Sequence, residues 1–123
     1  MAISESEAVV MEVLWQRHPL AADEVVALLA ARSDWAEPTV KTLLNRLLNK
    51  GAIRAERDGR RYLYSPVLER EAWVAQQSEG FVERLFGGRV APLVAHFSER
   101  GKLSQDDIDA LRRLIEEIDD DRR

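Results

Sequence analysis

The sequence has no cysteine, only four prolines and six glycines, and few aromatic residues, at 7% of the chain. Without cysteine, neither a disulfide nor a thiolate metal site can form, and a reducing compartment is compatible with the chain. No apolar run approaches the length of a membrane span. The opening Met1-Ala2-Ile3-Ser4-Glu5 lacks the basic and apolar regions of a signal peptide, so a cytoplasmic location is expected. The two histidines, His18 and His96, are far apart and no set of further ligands clusters with either, so no metal is expected. There is no glycine-rich phosphate loop, no Cys nucleophile and no Ser-His-Asp pattern. The chain is therefore not expected to be an enzyme or to hold a cofactor.

What is present is a hydrophobic content of 46%, enough for a packed core, together with 33% charged residues. The 123 residues suit one ordinary domain, or a small domain with a helical appendage. The net charge of −4 argues mildly against a nucleic-acid partner. Its distribution argues the other way. Residues 1–35 sum to −4, residues 36–66 to +4, and residues 67–123 to −4. One short basic segment lies inside an acidic protein, so a phosphate-binding surface belongs there.

Ser4 followed by Glu7 forms a capping-box pattern that starts a first helix. Its apolar positions are Ala8, Val10, Met11, Val13, Leu14 and Trp15, and His18-Pro19 stops it, because a residue before proline avoids the helical region. A second helix is predicted over roughly 22–32, with Ala22, Val25, Val26 and Leu29 at i, i+3, i+4 and i+7. Pro38 is tolerated only in a first helical turn, so a third helix begins just before it. Val40, Leu43, Leu44 and Leu47 form its stripe, and Gly51 is its C-cap. The alternating runs Ile53–Arg57 and Arg60–Tyr64 flank Asp58-Gly59, a strong hairpin signal. With those two residues as the loop, Ala55 opposes Tyr62 and Glu56 opposes Arg61. Ile53, Ala55, Tyr62 and Tyr64 then share a face suited to packing on the helices.

Three helices and a two-stranded hairpin give the order of a winged helix, ending at Ser65-Pro66. The expected fold class is mainly α, an α+β winged helix-turn-helix over 1–66 followed by a helical region over 67–123. Within the latter, residues 67–86 carry Trp73, Val74, Phe81, Val82, Leu85 and Phe86, and Gly87-Gly88 breaks the chain. Val90, Leu93, Val94 and Phe97 form a second stripe. Ser104 with Asp107 caps a last helix, whose Ile108, Leu111, Ile115 and Ile118 alternate in steps of three and four. The tail 119–123 is expected to fray. Three short amphipathic helices need a partner surface. Either they fold back on their own winged helix or they pair with a second copy. A two-fold dimer would match palindromic DNA, and it would bury Phe81, Leu85, Phe86, Val90, Leu93, Val94, Phe97 and the isoleucines together.

With its leucine stripe turned inward, the third helix presents Thr42, Asn45 and Asn49, flanked by Lys41 and Arg46. Thr39 stands at its N-terminal end and Lys50 in its last turn. Such donors and acceptors read base edges and phosphates, although any solvated helix face is also polar. Arg57, Arg60 and Arg61 cluster at the hairpin, where they either contact DNA or merely solubilise a turn. A winged helix used as a protein-interaction module, without DNA contacts, is the competing reading.

Certain strings resemble a known family. They are Ile3-Ser4-Glu5-Ser6-Glu7 leading to Val13-Leu14-Trp15, then Thr39-Val40-Lys41-Thr42-Leu43-Leu44-Asn45-Arg46-Leu47, Lys50-Gly51, Tyr62-Leu63-Tyr64, Phe86-Gly87-Gly88 and Leu103-Ser104-Gln105-Asp106-Asp107-Ile108. Together they resemble the penicillinase (BlaI/MecI-type) repressors of bacterial β-lactam resistance over nearly the whole chain. The resemblance implies a homodimer on dyad-symmetric operator DNA, with contacts from Thr39, Lys41, Thr42, Asn45 and Arg46 and from Arg60 and Arg61 in the wing. It also implies control of β-lactam resistance or related stress genes. In β-lactam-responsive members a membrane sensor's signal leads to cleavage of an Asn-Phe bond in the dimerisation region. The aligned position here is His96-Phe97, which keeps the Phe and replaces the Asn. The paired C-terminal cysteines of copper-responsive relatives are absent.

Overall fold

The computed structural model describes residues 1–122, and its chain divides into two compact units, Met1–Ala75 and the residues from Gln76 onward. The first unit contains α1 (Glu5–Gln16), β1 (Leu20–Ala21), α2 (Ala22–Leu29), α3 (Glu37–Lys50), β2 (Ile53–Asp58) and β3 (Arg61–Pro66). A longer helix, α4 (Arg70–Phe86), begins in the first unit and continues into the second, which also holds α5 (Val90–Glu99) and α6 (Gln105–Asp121).

Two helices of the first unit, α1 and α3, start and stop on local signals, whereas α2 ends at Leu29, three residues short of the expected 32. At α1, the Glu7 N–H donates to Ser4 Oγ at 3.1 Å and the Ser4 N–H donates to Glu7 Oε1 at 2.7 Å, closing the capping box. At its other end His18 Nδ1 lies 2.8 Å from the Leu14 carbonyl. Pro38 sits in the first turn of α3, where its missing N–H breaks no helical bond. Gly51 ends α3 at φ 76°, a left-handed conformation costly for any residue with a Cβ. Val10, Met11, Leu14, Val25, Leu29, Val40, Leu44 and Leu47 are fully buried, so the three helices close on one core. Each stripe expected from 3.6-residue spacing supplies part of it.

The sheet departs from the expected two-stranded hairpin in two ways. A third strand is present, because Leu20 and Ala21 pair with Tyr64 and Leu63, giving the order β1-β3-β2. The hairpin register also differs. Asp58 pairs with Arg61, so the loop is Gly59-Arg60, with Gly59 at φ 64°. Glycine at the first loop position supplies the positive φ that a tight hairpin needs. Ala55 therefore opposes Tyr64 and Glu56 opposes Leu63, which removes the expected Glu56–Arg61 pair. The shift spans two residues, so the expected face is kept. Its burial is not kept: Ile53 is buried and Tyr64 partly buried, whereas Ala55 is exposed and Tyr62 is 51% exposed. The hairpin extends past the helices, and its outer half has nothing to pack on.

The first unit reaches beyond Pro66. The Trp15 indole N–H donates to the Leu68 carbonyl at 2.8 Å, and the rings of Trp15 and Trp73 lie 5.5 Å apart. In the second unit α6 opens on a capping box of Ser104 and Asp107 and runs to Asp121, so the expected frayed tail is helical through that residue; Arg123 lies outside the described residues. No residue of α4, α5 or α6 is fully buried.

Among the described residues one charged side chain lies inside the core. Glu7 is 1% exposed, and its Oε1 accepts from Lys50 Nζ at 2.6 Å. Burial pushes the Glu7 carboxyl up, but hydrogen bonds from Lys50 and Ser4 and the Lys50 charge outweigh it and hold the carboxyl below the usual glutamate range. A carboxyl lowered by folding adds stability that is fully present above its unfolded pKa and is lost as pH falls through the lower, folded one. Urea titrations at pH 7 and in acid are therefore expected to show a smaller acid loss for Glu7→Gln than for the wild type. Equal losses would show that Glu7 takes no part in the acid response.

Candidate nucleic-acid interface

The face of α3 opposite Val40, Leu43, Leu44 and Leu47 carries Thr39, Lys41, Thr42, Asn45 and Arg46, all exposed. This follows from helical geometry: a stripe buried on one side fixes the opposite side toward solvent. Thr42 Oγ1 donates to the Pro38 carbonyl at 2.9 Å, leaving its lone pairs outward as acceptors. Lys41 Nζ lies 3.1 Å from Glu37 one turn earlier, and both side chains are more than half exposed. Such a surface pair contributes about 0.2–1 kcal/mol, so a phosphate can displace it.

The wing supplies three more cations, in different states. Arg57 Nε donates to the Gly59 carbonyl at 3.0 Å, folding that side chain over the turn. Arg61 is 3.8 Å from Glu24 and 3.9 Å from Asp58, both loose exposed contacts. Arg46 and Arg60 form no ion pair among the described residues, and their charge is open to an external anion. Lys41 of α3 and Arg61 of β3 line one open cleft of about 250 Å³ with Tyr62, Tyr64, Asp23 and Glu37. Helix and wing thus present a continuous edge. That cleft carries both signs, whereas Arg46, Arg57 and Arg60 have no carboxylate within salt-bridge distance among the described residues.

Lys50 does not join this face. Its ammonium turns to Glu7 and to the Ala2 carbonyl, 3.1 Å away, and serves as counter-ion to a buried carboxylate. A DNA contact from Lys50, as expected from the sequence, would require it to leave that carboxylate. A cation at a helix end can satisfy an interior acid as readily as a phosphate, and only the fold decides which is nearer. Conversely, sequence reasoning placed Tyr62 against the helices, and the structure sets it beside Lys41 and Arg61 with an exposed hydroxyl-bearing ring. Its position two residues from the loop was the available signal.

The second unit groups the expected dimerisation residues differently by burial. Phe86, Leu93, Val94, Ile108 and Leu111 are half-buried, whereas Phe81, Leu85, Val90, Phe97, Ile115 and Ile118 are exposed. Leu114, 52% exposed, belongs with them and was not anticipated. The His96-Phe97 bond lies inside α5, with the His96 ring 6.4 Å from Phe86 and 5.8 Å from Phe97.

A profile of the penicillinase repressor matches residues 3–117. The chain belongs to the penicillinase repressor family. This is a family of transcriptional repressors and not of enzymes. Relatives within it include the penicillinase repressor of Bacillus licheniformis, 32% identical over 94% of this chain and 90% of the relative. The methicillin resistance regulatory protein MecI of Staphylococcus aureus is 30% identical over 92% of both chains. Among solved structures, the DNA-binding domain of the repressor BlaI matches 57% of this chain and 85% of that domain, at 34% identity and a TM-score of 0.53. The monomeric form of Bacillus licheniformis BlaI in complex with the blaP half-operator matches at 33% identity, a TM-score of 0.52, and 58% and 88% coverage. The winged helix-turn-helix of this penicillinase repressor family member is thus the fold of a domain solved on DNA in a relative.

Proposed function

We propose that this chain is a cytoplasmic transcriptional repressor that binds dyad-symmetric operator DNA as a homodimer and blocks transcription by occlusion. The observation that carries the reading is the exposed face of α3. Base-reading groups and a free cation (Thr42, Asn45, Arg46) stand on the outer side of a helix whose inner side is the core, next to a basic wing in an otherwise acidic chain. α3 enters the major groove, and Arg57, Arg60 and Arg61 follow the backbone or the adjacent minor groove. Thr39 and Lys41 contact phosphate. That a relative's structure was solved in complex with its half-operator supports DNA as the partner of this domain.

The exposed residues Phe81, Leu85, Val90, Phe97, Ile115 and Ile118 support a second copy as partner, since monomeric proteins rarely leave so many large apolar side chains open. Among the described residues no helix is long and apolar enough to cross a membrane. The genes proposed for control are those of β-lactam resistance or related stress responses, by family relationship.

Asn45→Ala and Arg46→Ala are each expected to weaken binding to the specific duplex by about 1–3 kcal/mol, measured against a scrambled duplex at fixed salt. Unchanged affinity in both would remove α3 as the reading element. A steep fall of affinity with salt is expected for a phosphate-contacting surface, and absence of duplex binding at low salt would favour a protein-interaction module instead. A membrane sensor acting through a protease enters this reading through His96-Phe97. Since that bond is helical, cutting it requires local opening of α5. N-terminal sequencing of fragments from β-lactam-treated cells tests it, and an intact chain under induction would remove that partner.

A further inference from the structure

The start of α4 is fastened to α1 at successive points, all within the first unit. The Leu68 carbonyl accepts from the Trp15 indole at 2.8 Å. Arg70 Nε lies 3.2 and 3.3 Å from the two carboxylate oxygens of Glu12. One turn later, Trp73 lies against Trp15 with ring centroids 5.5 Å apart and an interplanar angle of 40°. Glu12 and Trp15 are three apart on α1, and Arg70 and Trp73 three apart on α4, so each pair occupies one helix face. A phenylalanine at this position would keep a ring against Trp15.

From Gln76 to Phe86 the same helix continues for roughly 16 Å, at about 1.5 Å per residue. It passes from the unit that holds α3 into the unit that carries the exposed apolar residues. A swing of about 10° at its base would move its far end by roughly 3 Å, close to the ~3.4 Å rise of one base pair. The geometry points to Trp73 as a positioning residue: held on Trp15, it restrains the base of α4 and so sets the half-site spacing that a dimer of this chain accepts. The inference rests on the dimeric repressor reading above. Nothing in it requires Trp73 to touch DNA or the second copy.

The test uses the full chain and two kinds of duplex that the wild type selects from a random pool, single half-sites and paired half-sites, with spacings varied one base pair at a time. Trp73→Ala is expected to bind the single half-site within about twofold of the wild type. Its affinity for the preferred paired site should fall about tenfold, and its preference among spacings should flatten. Trp73→Phe, which keeps the ring contact, should match the wild type on both duplexes. Arg70→Ala leaves the core intact and should flatten the spacing preference in the same direction, so the inference survives a poorly folding Trp73→Ala. A parallel fall on both duplexes would show that Trp73 only supports the fold. An unchanged spacing preference in Trp73→Ala and Arg70→Ala would overturn the assignment outright. A wild type that selects no duplex, or elutes as a monomer, would instead overturn the dimeric repressor reading on which the assignment stands.

Discussion

Lys50→Met is expected to lower folding stability by about 3 kcal/mol, the lower end of the range for breaking a buried ion pair, because Lys50 keeps some solvent while Glu7 keeps almost none. The cost comes from what is left behind. Glu7 Oε2 accepts no hydrogen bond from the described residues, and without Lys50 the charge on Oε1 keeps only the Ser4 N–H among them. The carboxylate must then stay charged without its counter-ion or take up a proton. Urea denaturation at neutral pH measures the loss, and Glu7→Gln on top of Lys50→Met should recover part of it, because a neutral amide still accepts from Ser4. The same variant separates two roles for Lys50. A phosphate contact would lower the slope of log affinity against log salt by about 0.9, whereas a counter-ion leaves the slope unchanged. We expect an unchanged slope once the variant is folded. A stability loss below about 1 kcal/mol would mean that the pair is worth no more than a surface one.

Ile115→Asp has the largest expected effect on DNA binding. Ile115 is 58% exposed in the single chain, and it lies between Leu111 and Ile118 along α6. In a dimer pairing through this face, a carboxylate there would be buried without a counter-ion, and the association would fail before the fold of either unit. Two linked sites exceed one alone by about 10²–10⁴ in affinity. Operator affinity should therefore drop by at least about a hundredfold while half-site affinity holds. Size-exclusion chromatography should show a monomer. An intact dimer with full operator affinity would place the interface elsewhere.

These two residues mark where the sequence could and could not be read. The stripe of α3 was legible because one helix face must be apolar to be buried, and Val40, Leu43, Leu44 and Leu47 recur at that period. Once that stripe is turned inward, Thr42, Asn45 and Arg46 have nowhere to point but out. The Ser4–Glu7 cap was legible because its partners are three residues apart. The second role of Glu7 was not, because its partner Lys50 is 43 residues away and meets it only when α1 packs on α3. β1 was hidden for a related reason. Two residues have no period, and Leu20-Ala21 becomes a strand only because β3 offers an unpaired edge beside it. The Asp-Gly signal located the hairpin but not its loop, which falls one residue later at Gly59-Arg60.

Local chemistry thus settled what could be settled by neighbours: the caps of α1 and α3, the inward and outward sides of α3, and the concentration of positive charge in residues 36–66. Packing decided which of those charges remain free. It drew Lys50 to a buried acid, left Arg46 and Arg60 without an ion pair among the described residues, and set Trp73 on Trp15 across a long stretch of chain. The reason is range. Capping and periodicity act over a turn or a strand pair, whereas a charge or a ring takes whichever partner the assembled core brings within a few ångströms.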